Sequence, residues 1–249
     1  MTCTLVNLNM WEGGNLMDNI LEFFRMQKPD ILVLQEVYNG HDTTWERKYR
    51  TMDVLQEAFP ELKYSHFAPA FLDQMDFGAV EQGNAVLSCF PIVESRTTFG
   101  DMPYCTRLSG SKIERTPRNL QEVVLDVNGT KLTVFNTQGI WGTDGADNER
   151  RLALSDTIVS QIAHKDPVVL CGDFNVRMDT ESIAKIEKHL ANVFKDKLVT
   201  SFNLRHKKQP CFATAVVDAI FVSQTVRVLS QEVSCADVSD HLPFIIKLH

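Results

Sequence analysis

The feature that most constrains this chain is a set of short apolar runs that each meet a polar residue at one end. Leu5-Val6-Asn7-Leu8-Asn9 closes on Asn9, and Ile31-Leu32-Val33-Leu34-Gln35-Glu36 closes on Glu36. Val168-Val169-Leu170-Cys171-Gly172-Asp173 closes on Asp173, and Asn175 follows it. Asp218 opens Asp218-Ala219-Ile220-Phe221-Val222, and Ser239-Asp240-His241 comes before a last apolar run at 243–248. Runs this short read as buried strands and fall far below the ~20 apolar residues that span a bilayer, so no membrane span is expected. In α/β folds, functional side chains gather at strand ends.

Amphipathic segments lie between the runs. Leu16, Ile20, Phe23 and Phe24 recur at helical spacing after Asn15, a residue suited to an N-cap, and Pro29 stops that helix. Trp45, Tyr49, Met52, Leu55 and Phe59 line a second helical face that ends at Pro60. Leu154, Ile158 and Ile162 line a third, with Asp147 near its start, and Thr180 caps a short one carrying Ile183, Ile186 and Leu190. The middle of the chain predicts strands over 63–68, 84–89, 92–98, 119–127 and 131–137. Asn128-Gly129 joins the last two, the strongest short signal for a hairpin. Further strands are expected over 217–222 and 226–234. Two sheets packed face to face with helices outside accommodate this mixture, as does one mixed sheet.

No repeat or Pro/Gly-rich linker divides residues 1–249, which predicts a single domain and a monomer. The six cysteines are scattered without a Cys-x-x-Cys pair, and residues 1–6 lack the basic start and long apolar stretch of a secretory leader. A reduced, cytoplasmic setting is the expectation. The formal charge of −7 argues against a protein that coats long nucleic acid by bulk charge. Four of those negative charges, Glu36, Asp173, Asp218 and Asp240, fall on the polar run ends.

Taken singly, each run end has an ordinary reading as a turn, a cap or a solvated carboxylate. In this order and spacing, Leu-Asn, Leu-Gln-Glu, Gly-Asp-Phe-Asn and Ser-Asp-His resemble the endonuclease/exonuclease/phosphatase superfamily, which includes deoxyribonuclease I, exonuclease III and neutral sphingomyelinases. The resemblance runs from Asn9 to His241. It implies an α/β fold of the deoxyribonuclease I type, a four-layer α/β/β/α sandwich of two mixed β-sheets with helices outside. It also implies a Mg²⁺-dependent phosphodiesterase, most simply a nuclease, with Mn²⁺ able to substitute. Glu36 would be the principal metal ligand, with Asn9 beside it and Asp240 nearby, since Mg²⁺ prefers oxygen donors. Asp173 would deprotonate the attacking water, and Asn175 and His241 would contact the phosphate. Asp218 would orient His241 and raise its pKa. The alternatives are a phosphatase acting on a small phosphorylated molecule or lipid headgroup, and a protein that binds nucleic acid with weakened catalysis.

One position departs from the pattern. Phe135-Asn136-Thr137-Gln138-Gly139-Ile140-Trp141-Gly142 carries Gln138 where close relatives have a histidine. Glutamine can hydrogen-bond a phosphate oxygen but cannot act as a general acid. Natural variation with water protonating the leaving group, an engineered replacement, and drift towards binding all fit this residue. For substrate contacts, Trp11 and Trp141 follow site motifs and could stack a base or pack in the core. Arg205 and Lys207 belong to the basic loop Arg205-His206-Lys207-Lys208, and Lys112, Arg115 and Arg118 form another basic stretch. Either stretch could steer a polyanion or lie on the solvated surface. Residues 69–82 read as a substrate-facing loop or an ordinary connection. Arg151 reads as support for the site or a surface ion pair.

Overall fold

The structure, a computed structural model, describes residues 2–108 and 116–249, so Lys112 and Arg115 lie outside the described residues. In chain order the first strands are β1 (Cys3–Asn9), β2 (Ile31–Tyr38), β3 (Tyr64–Met75), β4 (Gly78–Ser88), β5 (Ile92–Phe99) and β6 (Thr106–Arg107). Then come β7 (Asn119–Val127), β8 (Thr130–Gln138), β9 (Val168–Asp173), β10 (Ala191–Asn192), β11 (Asp218–Val222), β12 (Val228–Val233) and β13 (Phe244–Leu248). The helices are the short turn α1 (Trp11–Gly14), then α2 (Met17–Gln27), α3 (Thr51–Ala58), α4 (Glu149–Ile162) and α5 (Glu181–Glu187).

The strands form two mixed sheets, in the orders β12-β13-β1-β2-β4-β3-β6 and β10-β11-β9-β8-β7-β5. Pairs β1–β2 and β8–β9, near the middle of each sheet, are parallel. Alternation along the strands sorts the side chains into three apolar layers. Leu5, Val33 and Val86 face Val134, Val169 and Ile220 between the sheets. Val6, Leu32 and Leu34 pack outward against Ile20, Phe24 and Leu55 of α2 and α3. Phe135, Leu170 and Phe221 pack outward against Leu154, Ile158 and Ile183 of α4 and α5. The result is the four-layer α/β/β/α sandwich.

Local signals act largely as expected. Asn128 and Gly129 turn between β7 and β8 with φ of 55° and 89°, the positive values that favour these residues in a tight hairpin. α2 ends at Gln27, with Lys28 in the left-handed region before Pro29. Three expectations need correction. Asn15 does not cap α2; Leu16 holds that place without a side-chain bond, and Asn15 Oδ1 instead accepts from Lys48 Nζ at 3.2 Å. Thr180 stands at the head of α5 but gives no capping bond; Asp147, from the loop before α4, accepts from Glu181 N at 2.7 Å and Ser182 N at 3.1 Å. Residues 69–82 form no extended loop: β3 and β4 pair from Tyr64↔Ser88 to Met75↔Gly78, with one register shift between Pro69 and Phe71 and a tight turn at 76–77.

At one end of the sandwich the layer between the sheets turns polar. Gln35 Nε2 donates to Asn7 Oδ1 at 2.8 Å and, across the sheet gap, to Asn136 Oδ1 at 2.7 Å. Asn136 Nδ2 donates to Leu34 O at 2.8 Å, Ala85 O at 3.2 Å and Gln121 Oε1 at 3.0 Å. Cutting this network leaves several buried polar groups unpaired at about 1–3 kcal/mol each. Asn136→Ala is therefore expected to lower the unfolding free energy by roughly 3 kcal/mol in urea titration, and a loss under about 1 kcal/mol would show the network to be dispensable.

Candidate active site

The sheet registers explain why distant run ends meet. β1 and β2 run parallel with Asn9 opposite Gln35, so Asn9 and Glu36 emerge at the same edge. In the other sheet Gln138 pairs with Asp173, and Asp218 pairs with Asp173 from the far side, so the three lie in one row. β13 pairs antiparallel with β1, which brings the preceding Ser239-Asp240-His241 back to the same edge. Ser239 Oγ fixes this return by donating to Asn9 O at 2.7 Å and accepting from His241 N at 3.2 Å.

Glu36 sits at a bulge, where the β2–β4 register shifts between Leu34 and Val37, and its φ is 56°. The bulge lets Gln35 point between the sheets while Glu36 turns to the rim, which is how bulges re-aim side chains. Glu36 Oε1 accepts from Asn9 Nδ2 at 3.1 Å and Gln138 Nε2 at 2.6 Å, and Oε2 accepts from Glu12 N at 2.8 Å. Burial pushes this carboxyl upward, but the Glu12 and Asn9 bonds and the charges of His241 and Arg118 outweigh it, so its pKa falls below the ordinary carboxylate value.

Asn9 also donates to Asp173 Oδ2 at 3.0 Å, so one neutral amide separates two carboxylates. Its own Oδ1 accepts from Trp11 N at 2.9 Å, so as placed it aligns Glu36 through nitrogen rather than turning an oxygen beside it. Asn175, at φ 53°, folds back on Asp173: its N donates to Oδ1 at 3.0 Å and its Nδ2 to Oδ2 at 3.1 Å. Asp173 is buried, and desolvation raises its pKa towards neutrality; Asp218 and Glu36 add to the rise, while His241 opposes it.

His241 Nδ1 meets Asp218 Oδ2 at 2.8 Å, and its ring lies 4.7 Å from Phe202. Burial disfavours the imidazolium, but Asp218, Asp173 and Asp240 more than compensate and lift its pKa to about 10. Asp173, Asp218 and His241 place ligand-type atoms within 4.8 Å of one another. A protonated imidazole has no lone pair for a metal, so this group reads as a charged triad. Glu36 and Asp240 add oxygen donors to those of Asp173 and Asp218, a set that suits a hard divalent ion. Asp240 is buried and ion-paired with Lys207 Nζ at 2.7 Å.

Glu36, Asp173, Asn175, Asp240 and His241 line a cleft of about 430 Å³ whose walls include Trp11, Trp141, Lys207 and Phe212; Asn9, Asp218 and Gln138 hold these groups without lining it. Trp11 leans on the His206 ring at 4.9 Å. Arg205 is exposed and faces Asp237 at 3.5 Å rather than the cleft wall. Arg151 is no surface pair. It is buried and donates from Nε to Ile140 O at 3.0 Å and from Nη1 to Asp144 Oδ1 at 2.9 Å, bracing the loop that carries Trp141. The Glu12 backbone has no signal in the sequence, and Arg118 shows there only as part of a stretch that could steer a polyanion or lie on the solvated surface. Arg118 belongs to a basic run, yet it is 4% exposed and its Nη1 donates to Gln138 Oε1 at 2.6 Å. Burial lowers its pKa to about 10 against the pull of Glu36 and Asp173.

The Endonuclease/Exonuclease/phosphatase family profile matches residues 6–241, and the chain belongs to this family, whose members hydrolyse phosphoester bonds. No curated protein sequence matches it. An endonuclease/exonuclease/phosphatase from Beutenbergia cavernae superposes with a TM-score of 0.80 at 20% identity, covering 100% of this chain and 71% of that one. The human Nocturnin catalytic domain superposes with a TM-score of 0.72 at 19% identity, covering 100% and 93%. A mannosyl-6-phosphatase from Bacteroides thetaiotaomicron gives 0.67 at 19% identity, covering 99% of each chain. At these identities the likeness is one of fold. No described helix is long and apolar enough to cross a membrane.

The His241–Asp218 pair has a pH signature in the metal-free protein. The folded-state pKa of His241, about 10, lies above its ordinary value of 6.5, so the pair's stabilisation is complete below pH 6.5 and fades as pH rises towards 10. Melting in chelator is expected to show the gap between the wild type and His241→Gln narrowing over that window. A gap that widens with pH would mean the imidazole is buried neutral.

Proposed function

We propose that this chain is a Mg²⁺-dependent phosphodiesterase, most simply a nuclease, that hydrolyses its substrate by direct attack of water. The observation that carries the reading is Asn9 bridging Glu36 at 3.1 Å and Asp173 at 3.0 Å, with the His241–Asp218 pair beside Asp173. This arrangement sets a carboxylate suited to a cation, a carboxylate suited to a proton, and a fixed positive charge around one cleft.

Glu36 would hold the divalent ion, with Asn9 aligning it and Asp240 a further oxygen donor on the cleft wall. When bound, the ion neutralises phosphoryl oxygen charge and so opens phosphorus to attack. Asp173 accepts the proton of the attacking water; desolvation moves its pKa towards the working pH, which favours a general base. Asn175, held to Asp173 through its backbone N, would turn the Nδ2 hydrogen now on Gly139 O to the phosphoryl oxygens. Asp218 holds His241 in its charged form, and that charge faces the same oxygens. Trp11, Trp141 and Lys207 give the substrate stacking surfaces and a cation. A second reading, hydrolysis of a small phosphomonoester, draws on the bounded cleft of about 430 Å³, a volume that suits a compact ligand.

Assays on DNA, RNA, bis-nitrophenyl phosphate and sugar monophosphates, with Mg²⁺, Mn²⁺ or chelator, test both readings. Glu36→Ala is expected to abolish metal-dependent turnover, and Asp173→Asn to slow it about 10²–10⁴-fold. Undiminished activity of Glu36→Ala, or of the wild type in chelator, would overturn the mechanism. Turnover of monoesters alone would select the second reading.

A further inference from the structure

Strand β4 carries its inner face past the end of the sandwich. Alternate side chains along it point inward: Val86 lies in the layer between the sheets, and Asn84 Nδ2 donates across the gap to Asn119 Oδ1 at 2.9 Å. Asn119 is the first residue of β7, so the next inward residue of β4, Gln82, stands where one sheet continues beyond the other. Gln82 is only 6% exposed and lines the cleft, yet its amide has no hydrogen-bond partner among the described residues. That amide opens on the cleft and is not among the buried side-chain atoms sealed without a partner. A buried amide with no protein partner is rare in a folded chain and points to a partner that comes and goes.

Arg107 joins Gln82 on this wall. Gln82 pairs with Tyr38 of β2 on one side and Phe71 of β3 on the other, and Asp73, two residues along β3, pairs with Arg107 of β6. The Arg107 guanidinium lies over the Phe71 ring, 4.7 Å from its centroid. Its Nε donates to Asp73 Oδ1 at 2.9 Å and its Nη2 to Asp73 Oδ2, which also accepts from Tyr38 OH at 2.9 Å. This pedestal fixes the guanidinium and leaves Nη1 without a partner among the described residues. Tyr38, Gln82 and Arg107 all line the cleft.

Charge decides what the wall can take. Asp73 touches Arg107, and Glu12, also on the cleft wall, lies close enough to act on its charge. A second phosphoryl group would therefore meet no uncompensated cation here. An alkyl group would cover the Gln82 amide and leave it unpaired, at the cost of a lost hydrogen bond. A ring bearing hydroxyl or carbonyl groups both donates and accepts without bringing charge, as the amide requires.

We infer that Gln82 and Arg107 form a specificity subsite for an uncharged, hydrogen-bonding ring, a sugar or a nucleoside, esterified to the scissile phosphoryl group. This rests on the phosphoester-hydrolase reading, and it names the part of the substrate which that reading leaves open. Residues 69–82 then meet substrate as a strand extension of the sheet.

The nitrophenyl phosphodiesters of thymidine, glucose and ethanol share one leaving group and differ only in the group offered to the wall. The better of the two ring esters is expected to exceed the ethyl ester in kcat/KM at least tenfold, and which ring wins tells nucleoside from sugar. A second phosphate added to the thymidine ester should change its kcat/KM less than twofold. Gln82→Leu is expected to cut the ring-to-ethyl ratio at least fivefold, and Arg107→Lys, which keeps the charge facing Asp73 but loses Nη1, at least threefold. A wild-type ratio within twofold of unity overturns the inference, with or without a folded variant. So does a tenfold gain from the second phosphate, or a ratio unchanged in Gln82→Leu, including an equal loss on both esters. If the wild type hydrolyses none of these esters, the hydrolase reading falls alone. Calorimetry with the phosphates of thymidine, glucose and ethanol then decides the inference by the same ratios, taken as affinities.

Discussion

Two apolar sheet faces can slide over one another at little cost, because dispersion and burial have no direction. A site assembled from the strand ends of both sheets cannot tolerate such sliding. The Gln35–Asn136 hydrogen bond at 2.7 Å resolves this conflict. It joins the sheets one residue behind Glu36 and two behind Gln138, and Asn136 also grips the backbone of β2 and β4. The direction of these bonds converts a greasy interface into a registered one, and every distance in the cleft follows from that register.

Above the register lies an arrangement of charge kept apart by amides. Asn9 stands between Glu36 and Asp173, Gln138 between Arg118 and Glu36, and Asn175 locks Asp173 from the other side. Carboxylates packed this closely would repel or share protons if they touched, as like charges at one site do. Neutral donors satisfy them instead, and the His241 imidazolium balances the group from the opposite flank. The backbone contributes as well. Glu12 N caps Glu36 from a turn in which Trp11, Glu12, Gly13 and Gly14 all have positive φ. Gly13 has no room for a side chain, since a Cβ there would lie 2.0 Å from Lys48 O.

Much of this was legible in the sequence because strands ending in polar residues report both the sheet and the site. Asn9, Glu36, Asp173, Asp218 and His241 stand at run boundaries, where apolar alternation stops. What escaped was decided by tertiary contacts rather than local pattern. Arg118 lies in a basic stretch that reads either as steering a polyanion or as solvated surface, and only its placement against Gln138 and the cleft reveals it as buried. Arg205, two residues from Lys207, shares its chemistry but turns to Asp237 outside. Thr180 holds the N-cap position of α5, but the capping bonds come from Asp147, more than thirty residues upstream, and no local signal encodes a bond from afar. The strand pairing of residues 69–82 was hidden by Pro69 and Gly78, which read as loop residues but sit at a register shift and a tight turn.

The amides that separate the charges have one property the charges lack: they do not titrate. Between acid and alkali, Asp173 and His241 exchange protons, yet Asn9, Gln138, Asn175, Gln35 and Asn136 keep the same donors and acceptors throughout. Proton traffic is thereby confined to a few buried side chains, inside a frame that has no acid–base equilibrium of its own. Acidity can switch the occupants of the cleft on or off without moving its walls.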